Sequence, residues 1–193
     1  RQMCIRDRYD SYEFGKYLTE LRRKYNVSMN VVCDGICDQS VMSRIENGER
    51  EVSKLVQDRL LGRLGVAPEN FENMVFSDEY ERWKVRQKIV NLIMNEKIDS
   101  AEELLEKMYS ENTLCERRKM IEDLDAVLEM QFYYAMKAQI QQYKNVDGKQ
   151  IRGIYKQALK QTVNGFEKSM GLNDFFKNRR FSVEELNLLI EYV

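Results

Sequence analysis

The chain has 193 residues, with 31 Lys and Arg against 32 Asp and Glu, no His, four Cys and one Pro. That length suits one large domain or two small ones, and 43% hydrophobic with 33% charged residues describes a globular chain, not a disordered one. Without His the usual general base, the His-containing triads and most zinc sites are excluded, and a net charge of −1 means that any nucleic-acid signal must be local.

The first eight residues include Met3-Cys4-Ile5-Arg6-Asp7, a run similar to the translation of a common sequencing-library adapter, and are set aside as an expected artefact. They hold no apolar signal-peptide region. From Glu13 to Val66 the pattern breaks into short helices. Phe14, Tyr17, Leu18 and Leu21 recur at helical spacing before Arg22-Arg23-Lys24. Ser28 is placed to cap a short helix through Val31, Val32 and Cys33, which Gly35 ends. Asp38 caps a third, Gln39 to Glu46, stopped by Asn47-Gly48. Ser53 opens a fourth with Leu55, Leu60, Leu61 and Leu64, closing at Gly65.

Longer amphipathic patterns follow from about Ser77, beginning with Tyr80, Trp83, Val85, Ile89, Leu92 and Ile93. Asp99–Glu102, Thr113–Glu116 and Ser182–Glu185 have capping-box spacing and predict helix starts. Leu124 to Lys144 reads as one long helix, turned by residues 145–148 and paired with Gln150 to Val163. With one Pro and nine Gly, few breakers interrupt these helices. Helix pairs joined by short turns suggest a tetratricopeptide-like array, although its signature residues are mostly absent. The apolar run Leu188-Leu189-Ile190 meets no helix-ending signal before Val193, so further chain is expected beyond it. No window supplies the roughly 18 apolar residues that a membrane span needs.

The third helix carries the clearest functional signal. It offers Gln39, Ser40, Ser43 and Arg44 on one side and Val41, Met42 and Ile45 on the other. Gln and Arg are residue types that read adenine and guanine edges in a major groove, which admits a helix. Asn47, Arg50 and Lys54 stand where phosphate donors would be useful. On spacing alone a plain helical bundle with a polar surface helix fits equally well.

The run Gly35-Ile36-Cys37-Asp38-Gln39-Ser40-Val41-Met42-Ser43-Arg44-Ile45-Glu46-Asn47-Gly48-Glu49-Arg50, preceded by Leu21-Arg22 and closed by Leu64-Gly65-Val66, resembles the Cro/phage-repressor (Xre-like) helix-turn-helix family. Ser43 to Gly48 is its most specific part, and the likeness covers roughly residues 13 to 71. It implies that Gln39, Ser40 and Arg44 face bases, with Ser43 near the groove and Asn47 and Arg50 at phosphates. It also implies that Arg22 pairs with Glu46. Two positions depart from the family: Met29 stands where Gln is frequent, and Asp38 where Ser or Thr is usual. Residues 13–66 hold nine Lys/Arg and eight Asp/Glu, a weakly basic reader whose affinity should depend on dimerisation.

The later helices, through Tyr155-Lys156-Gln157-Ala158-Leu159, Thr162-Val163 and Phe181 to Leu189, resemble Gram-positive regulators that join an Xre-like head to a tetratricopeptide-like body. Members of the Rgg and PlcR kind bind signalling peptides and dimerise through the body. Gln131, Tyr134, Lys137 and Gln141 on the long helix are candidates for lining such a groove, against the commoner role of core packing.

Cys33 and Cys37 lack the further ligands that zinc requires and fit core packing as reduced thiols. An odd remainder of cysteines without a secretion signal suggests a cytosol. The exposed pair Glu184-Glu185 is expected to complement a helix dipole. No P-loop, dinucleotide turn or metal-ligand cluster is present, so no catalytic residue, metal site or cofactor is expected.

The sequence therefore predicts an all-α chain. A five-helix lambda-repressor-like helix-turn-helix domain at 13–72 should precede an antiparallel helix-pair array at 77–193. The expected function is a cytoplasmic, homodimeric transcriptional regulator that binds double-stranded DNA, with a signalling peptide as candidate effector and no membrane partner. The alternative is a helical interaction module whose head no longer binds DNA.

Overall fold

The computed structural model describes residues 11–67, 77–114, 124–166 and 179–193. The chain is all-helical, with nine helices and no strand among the described residues. Helices α1 (Ser11–Lys24), α2 (Met29–Cys33), α3 (Gln39–Glu46) and α4 (Lys54–Arg63) form a head. Helices α5 (Ser77–Met94), α6 (Ile98–Leu114), α7 (Leu124–Tyr143), α8 (Gly148–Thr162) and α9 (Val183–Tyr192) form a body. Residues 1–8, Cys115, Glu116, the expected boundary at 72 and the stretch after 67 where a fifth head helix is expected lie outside the described residues. None of the described helices is long and apolar enough to cross a membrane.

Local capping chemistry sets several helix starts. The Asp38 carboxylate accepts from the Val41 N–H, and the Ser53 hydroxyl accepts from the Val56 N–H. Ser182 and Glu185 form a reciprocal capping box ahead of α9. Ser28 stands at the N-cap of α2 in an extended conformation without a side-chain cap bond.

The capping box expected at Asp99–Glu102 does not open a helix, and the one expected at Thr113–Glu116 reaches outside the described residues. At the end of α5, Glu96 turns left-handed (φ 57°), and the Glu96 and Lys97 N–H groups donate back to Ile93 and Leu92. The chain then enters α6 at Ile98, which leaves Asp99 inside the first turn. Thr113 belongs to the last turn of the same helix, which runs to Leu114.

The head core gathers Phe14, Leu18, Val32, Met42, Ile45, Leu60 and Leu61, each almost fully buried. Burying such a side chain contributes about 1.5–3 kcal/mol. Leu128 of α7 belongs to this same cluster, with Leu124 packed against it. Further along α7, Tyr133, Met136 and Ile140 pack with α5 and α6, while Ala138 packs with α8 and α9. Helix α7 is therefore apolar on several sides, as a helix enclosed by neighbours must be.

That enclosure sends the four groove candidates of α7 to separate partners. Gln131 is buried and donates to the Thr162 hydroxyl at 2.6 Å. Tyr134 packs between the two body clusters. Lys137 meets the Tyr133 hydroxyl at 2.8 Å, and Gln141 reaches Glu102 at 3.4 Å. The four side chains point to different neighbours and do not line one groove.

The head and body are joined by a buried polar cluster. Arg63 of α4 uses its whole guanidinium there. Its Nε and Nη2 bond the Glu185 carboxylate at 3.2 and 2.6 Å. Nη1 donates to the carbonyls of Val32 and Asp34 at the end of α2, and Nη2 to that of Thr162 at the end of α8. Arg59 bonds Gln131 and lies 3.8 Å from Glu185. Glu185 is thus fully buried, contrary to the expectation of an exposed pair, and only Glu184 stays open to solvent. Burial alone would push the Glu185 carboxyl up, but the bonds to Arg63 and the charges of Arg63 and Arg59 hold it below its ordinary value.

Candidate nucleic-acid interface

Helix α3 begins where Asp38 closes a tight cap, its Oδ1 accepting from Val41 N–H at 2.8 Å and from the Ser40 hydroxyl at 2.7 Å. Those bonds hold the Asp38 carboxyl below the usual carboxylate range, the backbone bond most strongly. Val41, Met42 and Ile45 are buried in the head core. Gln39, Ser40, Arg44 and Asn47 are exposed, and Ser43 and Arg50 are half-buried. At 100° per residue, positions 39, 40, 43, 44 and 47 fall within an arc of roughly 140° on one side of the helix. The structure thus brings five of the six candidate DNA contacts to a single face. Arg50 follows in the loop beyond, close enough to Asp38 to favour its charged form.

The back of this helix is fixed at two points. Arg22 of α1 grips Glu46 through two parallel bonds, Nε to Oε1 at 2.7 Å and Nη2 to Oε2 at 2.9 Å. Its Nη1 also donates to the Val27 carbonyl at 3.1 Å. The Glu46 bond keeps the Arg22 guanidinium protonated above its ordinary range, against the desolvation that opposes it. Such a forked pair specifies orientation as well as proximity. The second point is Gly15, where a Cβ would overlap the carbonyls of Ile45 and Glu46. Helix α1 lies against the end of α3 only because this position has no side chain.

The turn before α3 is pressed against the body. Gly35 has φ +72°, and an added Cβ would overlap the Thr162 carbonyl. Beside it Asp34 accepts from Asn164 at 2.9 Å and pairs with Arg179 at 3.4 Å. Cys33 is buried and Cys37 packs against the head core. The Cys37 thiol is pushed up by its hydrogen bond with Cys33 and by burial, which disfavours a thiolate. No group of three or more His, Cys, Asp and Glu is arranged for a metal among the described residues.

Comparison with protein-family models, curated proteins and solved structures gives no match.

Sequence reasoning missed three positions that hold the head in place. Gly15 carries a recognisable signal, an isolated Gly inside a helical pattern. Arg59 and Arg63 carry none. They were counted among the basic residues of the head, yet both point into the body and are almost fully buried. Met29 packs against the head core.

Proposed function

We propose that the chain is a DNA-binding transcriptional regulator with an Xre-like helix-turn-helix head, α2 and α3 being its two signature helices, and a tetratricopeptide-like body. The observation that carries this reading is the polar face of α3. Gln39, Ser40, Arg44 and Asn47 are open to solvent, while the opposite face and Glu46 are locked to α1. Arg can make a bidentate contact with guanine and Gln with adenine, so this face has the chemistry to read base edges.

The regulator acts as a cytoplasmic homodimer on two half-sites about one helical turn apart, since one weakly basic head gains affinity from a second. The body provides the dimer contact and a place for an effector, with a signalling peptide as candidate. Such an effector shifts the DNA-binding state only if it binds one conformation better.

The test is a random-oligonucleotide selection followed by titration against salt. A recovered operator whose affinity falls steeply with salt is expected. Arg44→Ala should abolish preference among sequences and leave weak non-specific binding. Retained preference in that variant overturns the assignment.

A second reading, a helical interaction module whose head no longer binds DNA, is favoured by one observation. Arg22, Arg59 and Arg63 all serve internal pairs, and Asp38 places an anion at the start of α3. Failure of the selection to enrich any sequence would favour it.

A further inference from the structure

A cleft of about 370 Å³ opens between α4, α5, α7 and α9, within the size range of small-molecule sites. Its apolar surface comes from Leu55, Trp83, Phe132, Met136 and Leu188. We propose that this cleft binds a small organic cation carrying an apolar body.

Charge decides the class. The described lining residues include six carboxylates and four cations. Each cation already faces a carboxylate. Lys54 is bonded to Asp58, and Arg86 to Glu129 at 2.6 Å. Arg59 lies 3.9 Å from Glu184, and Arg82 4.0 Å from Asp125. An entering anion would have to take a guanidinium from its carboxylate. An entering cation meets a lining with an excess of negative charge. Glu191, also in the lining, accepts at 3.2 Å from the neutral amide of Gln142.

Trp83 adds a second attraction. It is 46% exposed and stacks on Tyr80 with ring centroids 5.8 Å apart. An indole face is the best aromatic partner for a cation. The apolar residues remove the ligand's hydrocarbon part from water, at about 25 cal/mol per Å². The cleft draws walls from both head and body, so an occupant touches both. The binding itself does not depend on the head reading DNA.

Trp83 is the only tryptophan of the chain and lines the cleft, so its fluorescence responds to an occupant. The full chain is titrated with 4-phenylbutylammonium and, separately, with 4-phenylbutyrate, which has the same apolar body and the opposite charge. Saturable quenching by the ammonium and none by the carboxylate is the expected result. Equal or stronger binding of the carboxylate overturns the proposal, as does the absence of a saturable response to the ammonium at millimolar concentration. Glu191→Gln should weaken ammonium binding roughly threefold to fivefold, the scale of an exposed ion pair. Glu103→Gln, an exposed change on α6 away from the cleft, should not. Equal weakening by both would mean attraction to the overall charge, with no defined site.

Discussion

Arg63 and Glu185 lie 122 positions apart and form a two-bond ion pair that fastens the last described helix to the fourth. The same guanidinium also donates to the carbonyls that end α2 and α8. All five of its N–H donors have an acceptor, the condition under which a buried Arg is tolerated. Removing one partner of such a pair costs about 3–5 kcal/mol. Arg63→Met strips the carbonyls as well as the carboxylate, so it should destabilise more than Glu185→Gln. The double variant Arg63→Met with Glu185→Gln should be more stable than the sum of the single losses implies. Urea denaturation of the three variants checks the order, and strict additivity would mean that the two residues are not coupled.

Acid should loosen this junction. Glu185 titrates below its ordinary 4.5 in the folded chain, despite burial, because Arg63 and Arg59 favour the carboxylate. A depressed folded value gives stability that is fully present above the unfolded value and is lost as pH falls through the folded one. Melting temperature followed downward from about pH 6 should therefore fall more steeply for the native chain than for Glu185→Gln below about pH 4.5. Parallel curves would show that Glu185 does not carry the acid sensitivity.

Gly35 and Gly65 separate backbone strain from contact. Both have left-handed φ, +72° and +79°, but an added Cβ meets the Thr162 carbonyl only at Gly35 and finds open space at Gly65. Gly65→Ala should cost about 1–2 kcal/mol from conformation alone. Gly35→Ala should cost that plus a further ~1–3 kcal/mol of overpacking. Equal losses in thermal unfolding would mean that Gly35 does not hold the α2–α3 turn against the body.

Helix limits were legible where the deciding chemistry is local. Asp38, Ser53 and Ser182 each cap a helix through bonds spanning three residues, and each was readable from its neighbours. The buried state of Glu185 was not. As the third residue of a capping box it resembles any exposed helix-start acid, and only α4, distant in sequence, places two arginines over it. Asp99 misled for a related reason. Its spacing is compatible with capping, but the tight end of α5 starts α6 at Ile98 and leaves Asp99 no cap position. The polar face of α3 followed from its periodicity, since apolar residues at 41, 42 and 45 fix which side turns inward.

Asp38→Ser should separate capping from charge. Ser is as good a cap as Asp, so stability should change by less than about 1 kcal/mol. In the proposed DNA-binding function the lost negative charge would raise affinity severalfold at low salt, with the gain shrinking as salt is added. Gel-shift titrations at two ionic strengths measure this. An unchanged affinity would place the start of α3 away from phosphate.

Arg59 and Arg63 have a consequence for any attempt to study the head by excision. Residues 11–67 expressed by themselves would lose Glu185, Gln131 and Thr162, and with them Leu128 from the head core. Two guanidinium groups now enclosed would face water on a fragment with a gap in its interior. Such a fragment would cling to any polyanion more strongly than the intact chain does, and its affinity would measure the cut surface instead of α3.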